Sequence, residues 1–154
     1  MRISLSAVLT MYHGSPYSNV DFKNIKVLFC IANIREAERY AKREVHFASV
    51  WDRGIPGPTV YKMQINSSDL FDMRIETHQR IYDEIRAAYP EEELPSRKSM
   101  GFIQHTGLPG YGHIRGMRDG ILAHGFGGMW VDEGSQGISV ALFTNSAIQS
   151  ITRI

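Results

Sequence analysis

Residues 25–31, IKVLFCI, form a nearly continuous apolar run, and NIREAERYAKR starts only two positions later at Asn33. The first reads as a buried strand. The second has helical spacing, with Ile34, Ala37, Tyr40 and Ala41 on one face. Asn33 with Glu36 three positions on is a capping-box signature that marks where this helix starts. Any fold for the chain must hold both a buried strand and an amphipathic helix. Further along, TVYKMQI alternates, with Tyr61, Met63 and Ile65 on one side of a strand. HQRIYDEIRAAYP predicts a helix with Ile81, Tyr82, Ile85, Ala88 and Tyr89 on one face, stopping near Pro90. WDRGIPGP reads as a turn-rich loop and EEELPSRKS as a solvated charged one. Residues 106–120, TGLPGYGHIRGMRDG, hold five glycines and read mostly as loop, long enough to be a functional candidate. From Gly120 onward the chain reads as short strands separated by glycine turns. Strand, then helices and loops, then strands gives an α+β class.

At 154 residues the chain is most simply one domain, residues 1–154, with no linker or repeat to divide it. Its 17 basic and 16 acidic residues leave a formal charge of +1, which supplies no global field for nucleic acid or an anionic membrane. Direct nucleic-acid binding is therefore not expected, and neither is a membrane role. The single cysteine, Cys30, excludes an internal disulfide and fits a reducing, cytoplasmic compartment. The opening MRISLSAVLTMYHG has Arg2 before an apolar run, as a signal peptide does. The run is short and broken by Ser4, Ser6 and Thr10, so it reads as a first strand instead.

That strand leads into Tyr12-His13-Gly14-Ser15-Pro16. Glycine lets another molecule approach the main chain, serine supplies a hydroxyl, and proline stiffens the exit. The pattern reads as a strand followed by a ligand-facing corner. Two further elements need explaining with it. Phe29 ends the apolar strand, with Tyr40 on the helix behind it, and the acidic pair Asp132-Glu133 precedes the strand ISVALF.

In this order the three elements resemble the ADP-ribosyltransferase fold, in the His–aromatic–acid branch shared by diphtheria-type toxins and poly-ADP-ribose polymerases. VALFTNSAIQSI is similar to the family's last strand and the turn after it, and MRDGILA to an Asp-Gly-Ile element of its phage-associated members. Tyr12 to Ser15, Leu28-Phe29 and Asp132-Glu133-Gly134 are similar to stretches of the phage-encoded anti-CRISPR members. The resemblance implies a split β-sandwich with an NAD cleft and flanking helices. It implies a mono-ADP-ribosyltransferase that uses NAD as co-substrate, needs no metal and modifies a protein. From the anti-CRISPR members, that protein would be a subunit of a CRISPR surveillance complex. His13, Gly14 and Ser15 would hold NAD, Phe29 and Tyr40 would clamp its nicotinamide, and Asp132 or Glu133 would be the catalytic acid.

One departure matters. The polymerase-type pattern has its glutamate four residues before the aromatic that ends the last strand, and four before Phe143 stands Ser139. That departure keeps open a catalytically impaired module that inhibits by occupying a partner, and a toxin of the same chemistry acting on a host factor or nucleic acid is a further alternative. His105, His113 and His124 match no compact ligand spacing and read as loop histidines. Arg115 and Arg118 are candidates for meeting a pyrophosphate or the acceptor. Cys30 reads as inert core.

Overall fold

The computed structural model describes residues 7–42, 55–97, 114–132 and 138–154. Seven strands build one curled, mixed sheet: β1 (Val8–Tyr17), β2 (Leu28–Ile31), β3 (Pro56–Asn66), β4 (Leu70–Phe71), β5 (Gly128–Asp132), β6 (Ile138–Leu142) and β7 (Ile148–Arg153). Their order across the sheet is β4-β5-β6-β2-β1-β3-β7, and only β4 with β5 is parallel. The described helices are α1 (Ile34–Ala41), α2 (Glu76–Ala88) and α3 (Ile114–Ala123). The α+β class stands. Among the described residues no helix is long and apolar enough to cross a membrane.

The apolar runs of the sequence are explained by two cores, one on each face of the sheet. On one face Phe71, Met129, Ala141 and Phe143 pack with Tyr82 and Ile85 of α2 and with Met117 and Ile121 of α3. On the other, Met11, Leu28, Cys30, Tyr61, Met63, Ile65, Val140 and Leu142 pack together. Strand neighbours such as Ala141 and Leu142 thus enter opposite cores. A strand buried on both sides has no polar face to show, so its sequence does not alternate. Tyr61, Met63 and Ile65 of β3 are buried while Lys62 between them is exposed, as their alternation predicts. Pro56 to Pro58, expected in a loop, instead open β3, where the first residues of a strand tolerate proline. Residues 51–54 of that predicted loop lie outside the described residues.

The larger revision concerns α3. Residues 114–120 were expected to be loop and the residues after them strand, yet Ile114–Ala123 is one helix. Glycine costs a helix about 1 kcal/mol against alanine, so two of them mislead a reading based on propensity. Packing explains both. A Cβ on Gly120 would stand 2.7 Å from Ile85 Cγ1, and one on Gly116 would stand 2.5 Å from Glu92 Cγ. These glycines let α3 lie close against α2 and the segment after it. Residues 106–113 lie outside the described residues.

Helix α1 starts where its cap signature puts it. Asn33 Oδ1 accepts from the Arg35 N–H at 2.9 Å and the Glu36 N–H at 3.4 Å. The Glu36 carboxylate turns to Arg39 at 3.1 Å, so the cap rests on the asparagine. Asn33→Ala is expected to lower stability by about 1 kcal/mol. A shift of the urea midpoint with unchanged slope would measure it.

Candidate functional site at the seam between β1 and β2

Strand β1 is paired along most of its length with β3, and β2 is paired residue for residue with β6. Between β1 and β2 the ladder holds one pair, Tyr12 with Ile31. The sheet is therefore two blocks, β7-β3-β1 and β2-β6-β5-β4, meeting at a narrow seam. Had the ladder continued, Gly14 would face Phe29. Instead the His13 side chain crosses the seam, and its Nδ1–H donates to the Phe29 carbonyl at 2.6 Å. A carbonyl only accepts, so this bond fixes the proton on Nδ1. The ring is 1% exposed and meets the edge of Phe22 at 6.5 Å, which in turn lies 5.0 Å from the Tyr61 ring.

His13, Gly14 and Ser15 do not form a corner. They lie inside β1, paired with Tyr61, Val60 and Thr59, because the strand runs on to Tyr17. The register shifts between Ser15 and Tyr17, and there the buried Ser15 Oγ accepts the Tyr17 N–H at 3.1 Å. The close approach that Gly14 permits is made by the protein itself. A Cβ at this position would overlap the Ala37 carbonyl oxygen of α1. Gly14 is the seat on which α1 rests.

Strand alternation carries Phe29 to the face of the sheet on which α1 sits. Phe29 is half-buried and packs at the margin of the core beneath α2 and α3. Since α1 packs chiefly on β1 and β3, Phe29 of β2 lies in the sheet between the strands under α1 and the core beneath α2 and α3. Tyr40, also half-buried, lies one turn beyond Ala37 on α1. The structure thus ties His13 to Phe29 by a hydrogen bond and ties the helix bearing Tyr40 to Gly14 by packing.

The acidic candidates are placed differently. Asp132 ends β5 and pairs with Ile138. Tyr12, Ile31, Ser139 and Val131 form one row across four strands, and Asp132 lies one residue beyond it. From Phe29, Asp132 is two strands across and three residues along, about 10 Å in each direction at ordinary sheet spacings. Glu133 lies outside the described residues. Ser139, where the family pattern has its glutamate, is 2% exposed and sits opposite Ile31 of β2.

His105 and His113 lie outside the described residues. His124, just past α3, bonds to the Gly120 carbonyl at 2.8 Å and to Glu84 of α2 at 2.9 Å. The Gly120 bond, then the Glu84 bond, hold its pKa above the ordinary histidine value. Among the described residues no group of histidine, cysteine, aspartate or glutamate is arranged to hold a metal ion. Arg115 lies on α3 near its start. Arg118 Nε donates to the Lys26 carbonyl at 3.0 Å, which fastens α3 to the approach to β2. Cys30 is buried with its Sγ 3.6 Å from Met63 Sδ.

One polar cluster had no signal in the sequence. The Asp72 carboxylate receives Arg74 Nε at 2.8 Å and Arg74 Nη2 at 2.9 Å, and the guanidinium lies 5.0 Å from the Trp130 ring centroid. Asp72 and Arg74 are close in the chain, but Trp130 reaches them only through the parallel pairing of β4 with β5.

No family model, no curated protein and no solved structure matches the chain.

Proposed function

We propose that this chain is an NAD-dependent ADP-ribosyltransferase domain of the split-sheet type, with NAD lying across the β1–β2 seam. The observation that carries the reading is the seam itself. A sheet well paired on both sides is reduced there to one pair, and His13 and Phe29 meet across it. Tyr40 stands on the helix seated beside it. A flat, electron-poor nicotinamide would stack on the aromatic faces of Phe29 and Tyr40 if it lay across the seam, since aromatic faces attract such rings. Breaking the nicotinamide–ribose bond leaves positive charge on the ribose while nicotinamide departs with the electron pair. A carboxylate from Asp132 or Glu133 would stabilise that charge, and the acceptor nucleophile would bond to the ribose carbon and lose its proton. The acceptor we favour is a protein, and by resemblance a subunit of a CRISPR surveillance complex.

A second reading, a module that keeps the NAD slot and acts by occupancy, is favoured by Ser139 at the glutamate position and by the offset of Asp132 along the ladder.

Calorimetric titration of NAD into wild type, Phe29→Leu and Tyr40→Leu tests the slot, because leucine keeps apolar bulk and removes the aromatic face. Each replacement is expected to weaken binding by about tenfold, the equivalent of roughly 1.4 kcal/mol of stacking. A folded wild type that takes up no NAD at millimolar concentration overturns the reading. Release of nicotinamide, abolished in Asp132→Ala combined with Glu133→Ala, separates the transferase from the module, which would bind NAD and leave it intact.

A further inference from the structure

The segment between β4 and α2 is held by an unusual choice of acceptor. The Asp72 backbone N–H donates to Nδ1 of His78, in the first turn of α2, at 2.8 Å. An imidazole nitrogen that accepts carries no proton, so this bond exists only in the neutral ring with its proton on Nε2. The ring is half-buried between aromatic partners. Phe71 is stacked on it with centroids 5.4 Å apart, and Phe126 meets it edge-on at 4.7 Å. From the segment before α2 the groups facing this ring are the Asp72 carboxylate and, bound to that carboxylate, the Arg74 guanidinium. From the turn after α3 comes Phe126, which is uncharged. His124, also past the end of α3, is engaged by Glu84.

We propose that His78 is a pH latch: its neutral ring holds the Asp72–Arg74 segment against α2, and protonation releases that segment and lifts Arg74 from Trp130. A proton taken from solvent onto Nδ1 turns the acceptor into a donor facing another donor, the Asp72 N–H. The two repel, and the segment must move or the ring must turn. Because Asp72 orients Arg74 through both carboxylate oxygens, movement of Asp72 carries the guanidinium with it. Burial holds the His78 pKa below its ordinary 6.5, against a smaller opposing pull from the Asp72 charge. With a folded value below the unfolded one, the stability His78 contributes is complete above 6.5 and is lost as pH falls through the folded value. The latch stands apart from the NAD reading, since none of its groups belongs to the seam.

Trp130 is the natural reporter, and Trp51→Phe removes the other tryptophan of the chain. In that background, Trp130 emission and the His78 ring proton resonances are followed from about pH 8 to about pH 5. The expected result is one shared midpoint, below the ordinary histidine value, with far-UV circular dichroism unchanged. His78→Asn, whose side-chain oxygen can accept the Asp72 N–H at every pH, is expected to lose the emission change. The proposal is overturned by emission that stays flat while His78 titrates, or by a transition that survives in His78→Asn. Loss of circular dichroism in step with the emission also overturns it, since the event would then be global unfolding.

Discussion

Gly14→Ala is expected to lower stability by about 3 kcal/mol or more, at the top of the range for overpacking. The new methyl group would have to occupy the place of the Ala37 carbonyl oxygen, with the Ala37 Cα 3.1 Å away. A side chain in the way could swing aside, but this obstacle is main chain held in a helix. Either α1 lifts from the sheet or β1 bends. For a domain of this size the loss corresponds to a fall in melting temperature of roughly 6–12 °C. Gly57→Ala is the matching control. A Cβ there meets Ser18 Cβ at an ordinary 3.6 Å, so the change should fall within about 0.5 kcal/mol. Thermal unfolding of the two variants side by side measures the difference. If NAD lies across the seam as proposed, Gly14→Ala is also expected to weaken its uptake by any molecules that stay folded, because α1 carries Tyr40. An unaltered melting temperature would mean that α1 does not rest on Gly14.

Phe71→Ala should cost about 3–5 kcal/mol, the usual loss for a large aromatic removed from a full core. Phe71 has no exposed surface and lies in a strand of only two residues, Leu70–Phe71, at one end of the sheet. Two residues of ladder hold little, so the side chain supplies most of the attachment. It packs on His78 and meets Phe126 edge-on at 5.8 Å. Phe71→Leu, closer in volume, should lose less than about 1.5 kcal/mol. Chemical denaturation separates the two. In the alanine variant water gains access to His78, and the pKa that burial holds down should move back towards 6.5, readable from the ring resonances. A His78 pKa unmoved by Phe71→Ala would show that the aromatic partner does not dry the ring.

The sequence was legible wherever a local pattern had a local cause. The start of α1 was written in Asn33, whose side chain caps its own helix. The inward positions of β3 were written in its alternation, and most of the α2 face in its spacing, with Tyr82 and Ile85 buried and Ala88 left exposed. Gly116 and Gly120 were misleading because glycine signals freedom in a chain read by itself. In the fold the same absence of a side chain serves close packing against Glu92 and Ile85. His13-Gly14-Ser15 was singled out, yet the reason given for Gly14 concerned a ligand, and its neighbour is Ala37. Asp72, Arg74, His78 and Trp130 were passed over, since nothing local marks a histidine whose acceptor role depends on a backbone N–H folded back onto it.

By itself, then, the sequence determined the α+β class and the cap and inward face of α1. Those are properties of neighbouring residues, set by side-chain period and backbone preference. Only the tertiary structure decided that β1 and β2 meet at a single pair, that the His13 ring spans their seam, and that Asp132 stands apart along the ladder. Each of those depends on which distant strands pair and in what register, and pairing energy is spread over whole strands rather than carried in any short run of residues.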